Sequence, residues 1–229
     1  MLLCYITDRL QFPGNDGGRR RRLLAKIAEA ARCGVDWIQL RERDLAAREL
    51  ERLAREVVAV VRDASSRTRL LINSRIDVAL AAGADGVHLR SDDIAASEAR
   101  VIWSQAGRRT SAGGIFVPPV IGVSCHTTDE VRLAEAHGAD FALFAPVFEK
   151  HGSAGAGLEV LRAACRPQAA GDNVEGPGTS AMPVLALGGV TLKNARDCLQ
   201  AGAAGIAAIR LFQDNDVTTV VQQLRIISG

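Results

Sequence analysis

Cys33-Gly-Val-Asp-Trp-Ile-Gln-Leu40 and Ala82-Gly-Ala-Asp-Gly-Val-His-Leu89 are two copies of one phrase, and that phrase decides the fold. It returns as His137-Gly-Ala-Asp-Phe-Ala-Leu-Phe144 and, more loosely, as Ala201-Gly-Ala-Ala-Gly-Ile-Ala-Ala208. Each copy has the same mechanics. A helix ends and Gly takes the left-handed cap position. A small residue and usually Asp then turn the chain, and a buried strand begins.

Working outward, four other short apolar runs lie between the copies: Leu2–Thr7, Leu70–Ser74, Val120–Ser124 and Val184–Gly188. They are mostly continuous rather than alternating, as parallel strands covered on both faces should be. Helical periodicity fills segments such as Leu45–Val61, Thr128–Ala136 and Val217–Ile227. Eight strands result, each followed by a helix or helical turn, with the repeated phrase entering every even strand. This pattern predicts a single (β/α)8 TIM barrel over residues 1–229, assembled from βαβα quarters. A doubly wound open sheet is the rival architecture. It would want a Gly-rich phosphate fingerprint after the first strand, where this chain has Thr7-Asp8-Arg9.

Two stretches rich in Gly, Pro, Ser and charge, about 104–119 and 166–182, run from a helix into the next strand. They read as insertions on the face away from chemistry, not as linkers between domains. Glu149–Gly157 leaves strand six on the opposite face and is expected to be the mobile active-site loop.

The chain has 229 residues, 48% hydrophobic and 24% charged, enough apolar material for one large core. Its net charge of +2 is too small to imply a nucleic-acid partner. No apolar run approaches the roughly 20 residues of a membrane span, and no signal-peptide pattern opens the sequence. Five cysteines without CxxC spacing read as reduced thiols, so a cytoplasmic location is expected. Arg19-Arg20-Arg21-Arg22 is either a solvated helix start or a polyanion patch. It sits against the helix dipole, a repulsion that a small anion would relieve.

In such a barrel chemistry sits where strands end and helices begin. Those ends supply Thr7 and Asp8; Gln39, Arg41, Glu42 and Arg43; Asn73, Ser74 and Arg75; and His88, Arg90, Asp92 and Asp93. Later strands add Ser124 and His126, then Glu149, Lys150 and His151, then Gly188-Gly189-Val190 and Ile209-Arg210. Gly188-Gly189 is either a phosphate cradle, where bare backbone N–H groups meet a dianion, or only a tight turn needing positive φ. Arg210 either adds a charge-assisted bond to the same phosphate or caps the rim. Gln39, Arg41 and Arg43 alternate and share one side of an extended strand end. The two guanidiniums then face a diphosphate or carboxylate, or else bridge to Glu42, Asp44 or Asp93. His126 is a candidate general acid/base beside Ser124. His88 is expected to be structural in the barrel wall, and Cys125 alternates away from the site.

Tyr5-Ile-Thr-Asp8, Gln39-Leu-Arg-Glu-Arg43, Ile72-Asn-Ser-Arg-Ile-Asp-Val-Ala-Leu80 and Gly83-Ala-Asp-Gly-Val-His-Leu89 carry a family resemblance. So do Gly122-Val-Ser-Cys-His126, Phe144-Ala-Pro-Val-Phe148 and Leu187-Gly-Gly-Val190. Together they resemble the thiamine phosphate synthase/TenI family over nearly the whole chain. The synthase of that family joins hydroxymethylpyrimidine diphosphate to a thiazole phosphate with loss of diphosphate. The resemblance implies Mg²⁺ held by carboxylates, cations around the diphosphate and a backbone cradle for the thiazole phosphate. Gln39, Arg41, Asn73, Asp93, Ser124, Gly188 and Ile209 agree with the synthase pattern, with Asp93 as the metal carboxylate if that reaction holds. Arg43 replaces the usual Lys.

Three departures stand out. Ser74 occupies the place of a metal Asp, His88-Leu-Arg-Ser-Asp-Asp93 replaces His-x-Gly-Gln-x-Asp, and Glu149-Lys-His-Gly-Ser-Ala-Gly155 replaces the Thr-x-Thr-Lys phosphate loop. Lys150 is the candidate substitute for the missing Lys, although Glu149 would repel a diphosphate. The TenI-like branch, similar to thiazole tautomerase, has lost the same features. It shifts a proton in a thiazole carboxylate phosphate through the His at position 126, without a cofactor. The resemblance therefore favours a tautomerase, with the synthase as its alternative and a non-catalytic ligand binder third. Expected ligands are phosphorylated thiazoles and, for the synthase, the pyrimidine diphosphate. A homodimer is left open.

Overall fold

Gly34, Gly83, Gly138 and Gly202, the cap glycines of the four repeats, all take positive φ, at 80°, 72°, 73° and 103°. The computed structural model describes residues 1–65, 67–110, 117–149, 154–166 and 182–228. After each cap glycine the chain turns into an even strand. The elements alternate as β1 (Leu2–Ile6), α1 (Asp16–Arg32), β2 (Trp37–Leu40), α2 (Ala47–Ala64), β3 (Arg69–Asn73), α3 (Ile76–Ala82), β4 (Gly86–Leu89) and α4 (Ala96–Thr110). They continue as β5 (Val120–Cys125), α5 (Thr128–Ala136), β6 (Phe141–Phe144), α6 (Gly157–Ala164), β7 (Val184–Ala186), α7 (Ala195–Gln200), β8 (Gly205–Ala208), α8 (Arg210–Gln213) and α9 (Val217–Ser228). All eight strands are parallel, in the order β1 to β8, and β1 pairs with β8 to close the barrel. The expected (β/α)8 TIM barrel is the observed fold.

The Asp of the repeat has a specific job. Asp36 donates its N–H to the Leu3 carbonyl at 3.1 Å, while its Oδ2 accepts the Leu3 N–H at 2.8 Å. Asp85 does the same for Leu70, at 2.9 and 2.8 Å, and Asp140 for Ile121, at 2.8 and 2.7 Å. Each carboxylate satisfies a backbone donor at the start of an odd strand and locks that strand to the following even one. In the fourth repeat Ala204 keeps only the backbone half, donating to the Val184 carbonyl at 2.8 Å.

The outer core packs helix stripes on the barrel. In α2, Leu50, Leu53, Ala54, Val57, Val58 and Val61 recur at helical spacing, and all are buried. The first part of the stretch 104–119 is helical, since α4 continues to Thr110. Ala96, Ala99 and Trp103 form its buried stripe before that stretch. Residues 111–116 and 167–181, where the rest of both expected insertions falls, lie outside the described residues. Arg19 to Arg22 belong to α1, where Arg20 pairs with Glu56 of α2 at 2.7 Å and Arg19 donates to the Phe12 carbonyl at 3.0 Å. Those contacts tie helices and loop together. Among the described residues no helix is long and apolar enough to cross a membrane.

Candidate active site

The carboxyl ends of the strands surround a cavity of about 930 Å³. Gln39, Arg41 and Arg43 reach it from the β2 end, Asn73 from β3, Ser124 and His126 from β5, Gly188 from the turn after β7 and Ile209 from beyond β8. A second hollow of about 1150 Å³ covers the ends of β7 and β8; it shares Gly188 and Ile209 and adds Gly189 and Arg210. Asp93 lines neither. Lys150 falls outside the described residues, as do positions 151–153 of the loop expected to move.

On the β2 side the alternative of carboxylate bridges to Arg41 and Arg43 is not met among the described residues. Glu42 and Asp44 turn instead to Arg9, a residue that sequence reasoning passed over. Arg9 is only 5% exposed; it grips Asp44 through two bonds of 2.6 and 2.8 Å and also pairs with Asp16 and Glu42. The Asp44 partnership, above all, holds its guanidinium in the charged form. Glu42 also accepts the Thr7 hydroxyl at 2.6 Å and the Arg9 backbone N–H at 3.0 Å. Burial nevertheless pushes the Glu42 carboxyl above its ordinary range, opposed by the bonds from Thr7 and Arg9. Thr7 Oγ1 in turn accepts the Arg41 backbone N–H at 3.0 Å, so the network fixes the strand end that presents Arg41.

Arg41 is left half-buried with no ion pair among the described residues. Its pKa is lowered by burial and then by neighbouring Arg43. A desolvated cation beside a second cation favours an anionic ligand. Arg75 and Arg90, also at the cavity edge, are engaged locally by Asp77 and Asp92.

Beneath these cations runs a polar chain. Gln39 Nε2 donates to Asn73 Oδ1 at 2.8 Å, and Asn73 Nδ2 donates to Ser74 Oγ at 3.2 Å. Ser74 takes a left-handed φ of 57° and donates its N–H to the His88 carbonyl at 2.8 Å. Gln39 is 2% exposed, and among the described residues its Oε1 has no partner, a buried acceptor at the cavity that a donor on a ligand would satisfy.

His126 stands exposed at the cavity with Nδ1 2.6 Å from the Ala145 carbonyl. A carbonyl only accepts, so Nδ1 carries the proton and Nε2 of the neutral ring is a free base. Its backbone N–H is held by Glu130 of α5. Cys125 next to it is buried, which pushes its thiol up to about 12 and keeps it protonated, in line with the sequence reading. His88 is less remote than expected: it points inside the barrel, and its Nε2 lies 2.9 Å from Ser124 Oγ.

Over β7 and β8 both glycines of the turn have positive φ, 91° at Gly188 and 66° at Gly189. A Cβ at Gly188 would come within 2.7 Å of Pro146 Cα, and one at Gly189 within 2.7 Å of Phe148 Cβ. The tight-turn reading of this pair is therefore met, and it places bare backbone at the rim. Arg210 opens the short helix α8 directly after β8, the position where barrels of this kind add a phosphate-binding helix.

The carboxylates do not fit a Mg²⁺ ion, which wants several oxygen ligands in octahedral array. Asp93 Oδ2 accepts the Arg90 backbone N–H at 2.7 Å, Asp92 is paired with Arg90, and Ser74 brings no charge. Among the described residues no cluster of three His, Cys, Asp or Glu side chains has metal-binding geometry.

Closed barrel and strand-end cavity define an α/β-barrel enzyme. The family model described as "Thiamine monophosphate synthase" matches residues 3–212, and the chain belongs to the thiamine phosphate synthase/TenI family of thiamine biosynthesis. A putative thiamine-phosphate synthase of Geobacter sulfurreducens is 40% identical, covering 90% of this chain and 84% of its own. The thiamine-phosphate synthase of Chlorobium luteolum is 35% identical over 91% of this chain and 83% of its own. Among solved structures, a thiamine phosphate pyrophosphorylase from Pyrococcus furiosus superposes with a TM-score of 0.73 at 29% identity, covering 99% of this chain and 94% of that one. These relatives carry the synthase name, which supports the synthase alternative better than the tautomerase expectation.

Proposed function

We propose that this chain is a TenI-like thiazole tautomerase that binds a thiazole carboxylate phosphate in the strand-end cavity and moves a proton on its ring. The observation that carries the proposal is His126, whose Nδ1 is committed to the Ala145 carbonyl so that Nε2 is a base at the cavity. Nε2 takes a proton from one ring position and returns it at another, so no atom is gained or lost. Arg41 meets the ligand carboxylate, where charge accumulates as the proton leaves. The glycine turn and the start of α8 receive the phosphate. Ser124 and the Gln39–Asn73 chain orient the ring, with Gln39 Oε1 as an open acceptor. This reaction asks for a base, a cation and a phosphate cradle, and no step passes through a metal.

The names of the relatives favour a second reading, thiamine phosphate synthase. Arg41 and Arg43 would then face the departing diphosphate, while the carboxylates that the family uses for Mg²⁺ are poorly matched, as described above. Incubating the pure protein with the thiazole carboxylate phosphate alone, and separately with thiazole phosphate, hydroxymethylpyrimidine diphosphate and Mg²⁺, separates the two. Isomerised thiazole without metal is the expected result. Thiamine phosphate formed at a useful rate, with no metal-free isomerisation, would overturn the proposal in favour of the synthase.

A further inference from the structure

His88 is 1% exposed on β4, and its two ring nitrogens have different fates. Nε2 lies 2.9 Å from Ser124 Oγ on the neighbouring strand β5. Nδ1 has no hydrogen-bond partner among the described residues. The space around Nδ1 is apolar. The Phe141 ring centroid lies 5.8 Å from that of His88, and Phe141 is itself stacked on Trp37 at 4.0 Å. On the adjacent strand β5, Gly122 is the register partner of His88, and a Cβ there would come within 2.7 Å of Nδ1 and 2.3 Å of Phe141 Cζ, so the two rings fill the room a side chain would need.

A neutral imidazole carries one proton, on one nitrogen or the other. Were it on Nδ1, a strong donor would be orphaned in a dry pocket, which native structures rarely tolerate; a bare lone pair there costs less. The proton therefore belongs on Nε2, donated to Ser124 Oγ. The doubly protonated ring is disfavoured as well, because burial, and then the positive charge of Arg41, push the His88 pKa down to about 3. With its oxygen already accepting from His88, the Ser124 hydroxyl has its own hydrogen free for the cavity, which Ser124 lines.

We infer that His88 is a positioning residue that holds the Ser124 hydroxyl as a hydrogen-bond donor toward an anionic or carbonyl oxygen of the ligand in the strand-end cavity. The inference rests on the reading of that cavity as the substrate site. Two measurements test it. In nitrogen-15 NMR of histidine-labelled protein, His88 is assigned by the signals lost in His88→Gln. It should show a protonated Nε2, a bare Nδ1 and no titration between about pH 5 and pH 8. An Nδ1-protonated tautomer, or titration in that range, overturns the inference whatever reaction the protein performs.

The second measurement is a double-mutant cycle on turnover. His88→Leu should lower kcat about tenfold in the native background, roughly the worth of one hydrogen bond, and have no further effect on Ser124→Ala. His88→Gln, whose amide N–H can replace the Nε2 donor, should recover most of the loss. Equal losses in both backgrounds would mean that His88 only fills space, and would overturn the inference. The NMR arm needs only the native chain and the Gln variant, so a Leu variant that folds poorly does not shield the inference. No turnover of any thiazole substrate breaks the functional reading, whereas a wrong tautomer breaks this one, and the two failures are told apart.

Discussion

Over β7 and β8 the mouth of the barrel is made of backbone. Gly188 and Gly189 turn with positive φ against Pro146 and Phe148, and α8 begins at once after the last strand. Over β2 to β4 it is made of long charged side chains, Arg41, Arg43, Arg75 and Arg90, of which Arg75 and Arg90 are engaged by nearby carboxylates. The first side is set by the path of the chain and offers a small anion little choice. The second depends on which carboxylates are present and where they turn. Ser74 and the Arg90-bound Asp93 have altered that balance, leaving cations where the family resemblance implies a metal. Under the proposed tautomerase reading, the backbone side would serve the phosphate while the opposite rim sets the reaction.

The largest effect expected is at His126, the proposed base between the two sides. His126→Gln should slow the proton shift by about 10²- to 10⁴-fold while thiazole phosphate still binds, read by steady-state kinetics beside calorimetry. An unchanged kcat would remove His126 from the chemistry. On the cationic rim, Arg41→Met should raise KM by about 10- to 100-fold, the range for a hydrogen bond to a charged group, and Arg41→Lys should restore little of it. If Lys restores affinity fully, the site needs only a positive charge and the planar guanidinium argument fails.

The backbone rim breaks differently. Gly188→Ala forces a Cβ toward Pro146 at a φ of 91° and should cost about 1–3 kcal/mol of stability, with phosphate affinity falling in parallel. A variant of native Tm and native affinity would show that the turn has slack. The smallest expected effect is a pH slope. His88 folds with a pKa of about 3 against an ordinary 6.5, so below pH 6.5 the unfolded chain takes up a proton that the folded chain refuses. Stability is then lost as pH falls, by about 1 kcal/mol between pH 6.5 and 5.5. Glu42 acts in the opposite sense. Its carboxyl is raised by burial, so the folded chain keeps a proton that the unfolded one has released, and stability falls as pH rises through the window above 4.5. Urea titrations of His88→Gln and Glu42→Gln should each lose their own slope and keep the other.

Much of this was legible in the residues alone. The phrase Gly-x-Asp located the even strands, because a left-handed cap and an apolar run are local events governed by a few consecutive φ and ψ angles. Strand ends then nominated Gln39, Arg41, Arg43, Asn73, Ser124, His126, Gly188 and Ile209, and one cavity collects them, since every strand of a parallel barrel ends on the same face. The Asp of the phrase was legible as a turn residue. Its second role, holding the N–H of Leu3, Leu70 or Ile121 on the neighbouring strand, was not.

What the sequence determined by itself, then, is the barrel, its quarters and the identity of the residues at its mouth. The tertiary structure decided how their charges and protons are shared. Arg9 claims Glu42 and Asp44 across more than 30 residues of chain, so Arg41 stays open; His88 reaches Ser124 across 36. Periodicity carries the direction of a side chain over one or two turns of chain. The partner of a long charged side chain is set by which strands lie side by side once the barrel has closed.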